Sequence, residues 1–350
     1  MVCPVVLAIA LDKVDLKKEE HGSVIPIIML VVAAITLIAG ICPFLICRFP
    51  SDRTESPRPV TRCLAPLSSA FLVALACWVH FIIFGKWSYP VIGAVFGLCF
   101  VIPTARYCYG NDAAAGGIRG HYSTLENSLE FSAGITALLF VGLEGLALEG
   151  QINKSDKATQ GRLTKPLGAS FFACVLGACL MLLETTPLLI KDRDIIKNQV
   201  IKVFDFLMTC AICLVMFFIM QELLMKIQAL LLFAPPFFVL MVLVYNHAVA
   251  NNAQNSENYE PAPLELTKVT FTGFLAVSIP SISKDSLNKG THWFILLAAL
   301  AIVSGLGWRQ LTHYKSDSIK KAANVASFCT HLLIVIAAIP FTVMAGDALS

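Results

Sequence analysis

Long apolar runs separated by short polar stretches set the pattern of this chain. Eight runs are long enough to cross a bilayer: residues 24–47, 63–84, 129–148, 167–190, 200–220, 227–245, 291–308 and 323–344. A bilayer core is about 30 Å thick and takes about 20 mostly apolar residues as a helix. Backbone groups in lipid find no water and must be satisfied within the segment, which is why such runs are read as helices.

Two further segments are less uniform. Residues 88–108 contain Pro90 and Pro103, but Trp87, Tyr89, Tyr107 and Tyr109 flank them. Aromatic residues at both ends are expected where a span meets the two interfaces. Residues 269–282 are short, carry Thr270, Thr272, Ser278 and Pro280, and follow Pro261 and Pro263. They fit a span, a re-entrant segment or a helix lying in the interface. The expected fold class is therefore all-α, a polytopic transmembrane bundle of nine or ten spans. The polar connections (the tail 1–22 and the loops 110–127, 151–166 and 246–266) are each shorter than the roughly 50 residues of a small domain. Residues 1–350 read as a single multi-spanning domain with no soluble part.

Composition agrees. The chain is 57% hydrophobic and only 14% charged, against about 25% charged in soluble domains. The net charge of +3 comes without a dense basic patch, so no nucleic-acid partner is implied. The partners expected are the lipid bilayer and a small solute or ion. Of the 12 cysteines, Cys42, Cys77, Cys99, Cys174, Cys179, Cys210, Cys213 and Cys329 fall in apolar runs, where cysteine behaves as a small hydrophobe. Cys210 and Cys213 have redox spacing, yet lie within a span. No cofactor and no metal are implied.

The start of the chain does not resemble a cleaved signal. An apolar stretch at 1–11 has no basic region before it, and the charged stretch 12–20 follows. The first spanning run is expected to serve as the targeting signal. Loop charge does not orient the bundle. With ten spans, the N-terminal side holds about 11 Lys and Arg and the other side about 15; omitting 88–108 reverses this, and omitting 269–282 gives a tie. Asn153-Lys-Ser155 is a glycosylation sequon close to a span end. The pattern Arg62, Pro66, Leu67, Phe71 recurs at Arg162, Pro166, Leu167, Phe171. It reads either as a trace of duplicated halves or as two ordinary helix starts, with Pro in the first turn.

Acidic residues inside spans carry the functional expectation, because a charge at mid-span costs roughly 2.5–3.5 kcal/mol and usually faces protein or water. Glu144 leads. Glu130, Ala133, Ala137, Val141 and Glu144 share one small-residue face, which suits a cavity lining or a close helix contact. Glu184 and Asp205 are further candidates for a proton or ion site. Lys202, one turn before Asp205, is spaced for an in-helix ion pair. His331 lies mid-span, where an imidazole can relay a proton or simply bond a carbonyl. Pro235 and Pro236 stand mid-run and are expected to break that helix, pushing Ala234 out of helical geometry; broken helices occur at transporter sites. The ridges Gly93-x-x-x-Gly97 and Ala169-x-x-x-Ala173-x-x-x-Gly177 are expected to be packing seams within the chain.

No zinc-protease helix, serine elbow or P-loop is present. An intramembrane enzyme would need two catalytic groups at one depth, and Glu144 with His331 is the one pair available. The chain reads as no enzyme, but as a transporter of a small solute or ion with proton coupling, or alternatively as a non-transporting membrane scaffold.

Overall fold

The computed structural model describes residues 122–139, 142, 157–185, 194–224, 226–249, 264–284, 287–312 and 317–349, with isolated positions between 31 and 93. The expected spans 24–47, 63–84 and 88–108 lie essentially outside the described residues. The rest is α-helical: α1 (Tyr122–Leu139), α2 (Lys157–Thr185), α3 (Asp194–Leu223), α4 (Lys226–Leu230), a 3-10 turn (Leu231–Phe233), α5 (Ala234–Val249), α6 (Leu264–Lys284), α7 (Lys289–Thr312) and α8 (Asp317–Leu349). No strand occurs among the described residues.

Five segments are long and apolar enough to cross a membrane: Thr164–Leu182, Ile201–Leu223, Ile227–Tyr245, Lys289–Thr312 and Ile319–Gly346. Each overlaps an expected run. The expected loops, by contrast, are too wide. α1 starts at Tyr122, inside 110–127, and α2 starts at Lys157, inside 151–166. At the third, α5 runs on to Val249 and α6 begins at Leu264, each within 246–266. Hydropathy marks the stretch that fits the bilayer, whereas Lys, Ala, Gln, Arg and Leu, abundant at the start of α2, sustain a helix in water as well. Pro166 consequently lies inside α2 and not in its first turn, so it marks no helix start.

The described part divides into two compact units. The first holds α1 from Ser132, α2 to Gln160 and again from Leu167, and α3 as far as Ala211; the second holds α3 from Ile212 through α8, with 161–166 and the start of α1 to Phe131.

In the second unit α7 is the central helix. Its neighbours α6 and α8 are joined to it through residues 285–288 and 313–316, and connections this short bring consecutive helices together as antiparallel neighbours. Side chains confirm the direction. Gly290, at the start of α7, faces Met344 near the end of α8, while Ser304 donates to the carbonyl of Ala326 at 3.0 Å. Thr330 donates to the same carbonyl at 2.8 Å. α8 meets α7 through Ala322, Ala323, Ala326 and Thr330, all fully buried, small residues that let backbones approach where lipid offers no hydrophobic driving force. Gly305 of α7 lies so close to Thr267 of α6 that a β-carbon there would overlap the threonine hydroxyl. α5 packs on α8 with Val239 against Trp308, Ala322, Ala323 and Ala326.

Candidate functional site

In the first unit, hydroxyl, thiol and carboxyl side chains recur at i, i+4 spacing on three helices: Ser132 and Thr136 on α1, Ser170 and Cys174 on α2, and Asp205 and Thr209 on α3. All are buried. Ser132 Oγ donates to Asp205 Oδ1 at 3.2 Å. One turn on, Thr136 Oγ1 approaches Met208 Sδ at 4.0 Å, so α1 and α3 run parallel. From α2, Cys174 Sγ donates to the Thr136 carbonyl at 3.7 Å, and Gly177 lets the Thr136 side chain fit against its backbone. Thr136 and Thr209 give their own protons to the carbonyls of Ser132 and Asp205, at 2.6 and 3.0 Å. Ser170 Oγ is buried with no hydrogen-bond partner among the described residues.

Asp205 is the most enclosed acid of the described residues, at 1% exposure. It is the fifth residue of the apolar segment Ile201–Leu223, about 6 Å in from its edge at about 1.5 Å per residue. Its partner across the seam, Ser132, is both a donor and an acceptor. That hydroxyl can donate to a carboxylate or accept from a carboxylic acid, so one geometry accommodates both protonation states.

The other expected site residues fall elsewhere. Glu144 lies outside the described residues. Glu184 is the next-to-last residue of α2. His331 belongs to the second unit; it is exposed on α8, with Nδ1 2.8 Å from the Ser327 carbonyl one turn back. The small face of α1 also shifts. Glu130 is exposed and Ala133 and Ala137 are half-buried, whereas Phe131, Ser132, Ile135, Thr136 and Leu139 form the packed side. The polar contacts of α1 thus run through hydroxyls, which hydropathy passes over. The ridge on α2 is a seam within the chain, with Ala173 buried and Gly177 against Thr136.

Pro235 and Pro236 do not break a helix at their own position. Ala234 keeps helical angles (φ −63°, ψ −46°), and its N–H bonds the carbonyl of Leu231. The prolines occupy the first turn of α5, where a missing N–H costs nothing. The interruption is the 3-10 turn before them. The Pro235 ring would clash with the carbonyl of Leu231, four residues back, in a continuous α-helix, and the tighter turn relieves that.

One charged residue escaped the sequence reading because it directly follows the run 291–308. Arg309, in the last turn of α7, is 1% exposed, and its guanidinium lies over the Phe131 ring at 4.6 Å. Lys268 Nζ, paired with Glu265 at 2.6 Å, stands 6.0 Å from the same ring. A cation over an aromatic face is attracted by about 0.5–2 kcal/mol, and a cation in the last turn also suits the helix dipole. This cluster fastens the end of α7 to α1 and α6.

Among the described residues, no three His, Cys, Asp or Glu side chains converge as metal ligands do. Cys210 and Cys213 are not joined by a disulfide. Comparison with protein-family models, with curated proteins and with solved structures finds no match to this chain.

Proposed function

We propose that the chain is a multi-pass membrane protein of transporter type, which moves a small solute or ion with proton coupling, and that Asp205 takes up and releases the proton. The supporting observation is a fully buried carboxyl bonded across helices by Ser132. An amide could satisfy that hydroxyl equally well. A carboxyl adds the ability to ionise, which is expensive within a span and is typically retained for ion or proton pathways. The unpartnered Ser170 hydroxyl on the packed face of α2 is a further polar group that water could use.

Cys174 supplies the test, because its thiol bonds the Thr136 carbonyl within the seam. In a chain retaining Cys174 as its sole cysteine, a membrane-impermeant thiol reagent should label it under at least one imposed pH gradient. In liposomes loaded with a pH-sensitive dye, the native protein should dissipate the gradient and Asp205→Asn should not, while eluting as the same monodisperse species. Cys174 protected under every gradient, with equal proton movement in both proteins, would overturn the reading. That result would favour the second one, a non-transporting scaffold whose seam is sealed packing.

A further inference from the structure

Asp205 lies close to one edge of its span, Ile201–Leu223, and far from the other. At about 1.5 Å per residue it is about 6 Å in from Ile201 and about 27 Å from Leu223. Lys202, half-buried, stands one turn nearer the close edge, and residues three apart are neighbours on a helix surface. A lysine stem runs along apolar surface while its ammonium stays in water. Water that solvates Lys202 therefore comes within about one helical turn of the carboxyl.

The layer one turn deeper is closed. α1 and α3 run parallel, so Thr136 and Met208 follow Ser132 and Asp205 away from the close edge. Thr136 Oγ1 is 4.0 Å from Met208 Sδ. Toward α2, the Thr136 side chain fills the space that a β-carbon at Gly177 would need. Thr136 and Met208 are both fully buried. The Thr136 hydroxyl gives its proton to the Ser132 carbonyl, and a thioether is only a weak acceptor, so this layer offers water little to bind. Cys174 marks its deep side. Helix carbonyls point toward the C-terminus, so the Thr136 carbonyl that holds the thiol at 3.7 Å faces away from Asp205.

We propose that Asp205 exchanges its proton with the compartment beside the start of α3, and that Thr136, Met208 and Gly177 form the gate that closes it from the opposite one. This rests on the reading of Asp205 as the proton carrier. A coupled carrier must meet one compartment at a time, because a carboxyl open to both would conduct protons without moving a solute. The short side of Asp205 leads to Lys202 and water, and the long side is the one the packed layer blocks. The gate is one side chain thick on each helix. A small separation of α1 from α2 lifts Thr136 off Gly177 and opens the way to the Cys174 thiol.

The test uses the full chain with Cys174 as its sole cysteine, in uniformly oriented sealed liposomes without a pH gradient. Asn198→Cys, in a chain freed of all native cysteines, identifies the face beside the start of α3, since Asn198 precedes the apolar segment of that helix. From that face an impermeant thiol reagent should leave Cys174 unmodified. Thr136→Ala should speed its labelling on the order of tenfold, equivalent to about 1.4 kcal/mol removed from the closed state. Met208→Ala should do the same from α3, so the test does not hang on one variant folding. Either opening should raise proton movement into dye-loaded liposomes, and adding Asp205→Asn should abolish that rise. Cys174 labelled from that face as fast without the substitutions as with them would overturn the gate. So would variants that elute as the native species and label no faster. Proton movement that depends on Asp205, found alongside either result, would leave the transport reading standing. The expected labelling in a protein that moves no protons would instead overturn the transport reading, and the proton exchange proposed here with it.

Discussion

Thr136 fills the space that a side chain at Gly177 would need, and its hydroxyl and methyl both lie within the reach of a β-carbon there. Gly177→Val should therefore lower stability by about 1–3 kcal/mol, the range for forced overpacking, measured by thermal unfolding in detergent. Thr136→Ala in the same chain should recover most of the loss. Absence of recovery would mean that the backbone conformation, rather than the contact, requires the glycine. Gly305 against Thr267 repeats the arrangement between α7 and α6, and Gly305→Val with Thr267→Ala should behave alike. Half of the first pair, Gly177, was legible in the sequence. A small residue at i, i+4 spacing announces a close approach, but its partner lies on another helix, and spacing describes only one face at a time. Asp205 shows the same boundary. Its place within an apolar run could be read directly, and Lys202 is in sight one turn away. Ser132, which reaches its carboxyl, is 73 residues distant and is chemically unremarked among the hydroxyls of the chain.

At the scale of whole helices, apolar run length located the spans well because one physical quantity, the bilayer thickness, sets it. It located helix ends poorly because the polar extensions of α2 and α3 are set by propensity instead. The paired prolines were legible as an irregularity, but not as its form, which depends on the carbonyl four residues upstream. That form has a measurable consequence. A 3-10 turn rises about 2.0 Å per residue and an α-helix about 1.5 Å. Converting Leu231–Phe233 to α-helix should shorten the segment by about 1.5 Å. Spin labels at the exposed Ile227 and Tyr245 should report that shortening when Pro235→Ala and Pro236→Ala are combined. An unchanged distance would mean that packing against Phe217, whose ring lies 5.9 Å from Phe233, holds the tight turn rather than the prolines.

At the scale of the whole molecule, α6 is not among the five segments long and apolar enough to cross a membrane, yet we expect it to cross. α6 is one continuous helix of 21 residues, about 31 Å long, which matches the hydrocarbon core and leaves no room for a re-entrant turn. It runs antiparallel to α7, with Thr267 beside Gly305 and Gly273 beside Phe294. Part of its low hydropathy comes from hydroxyls that α6 satisfies itself: Thr270, Thr272 and Ser281 donate to the carbonyls of Leu266, Lys268 and Val277 at 2.7, 3.0 and 2.7 Å, while Ser278 is buried with no hydrogen-bond partner among the described residues. A per-residue scale charges the full cost of those groups, although a bonded hydroxyl presents mostly its methyl or methylene to lipid. The charged pair Glu265–Lys268 stands in the first turns, where a lysine stem can reach the interface. We therefore expect Glu257→Cys and Asn288→Cys, tested in sealed vesicles, to react with an impermeant thiol reagent from opposite sides. Reaction from the same side would make α6 an interfacial helix. Opposite labelling also removes the tied charge count, because residues 269–282 would then count as a span. Residues 88–108 would alone decide the orientation. As a span they give the ten-span count, which leaves the N-terminus on the side with fewer basic residues, away from the cytoplasm. In intact cells, Asn288→Cys would then react from outside, since α6 is the eighth of the ten spans and an even number returns the chain to the N-terminal side.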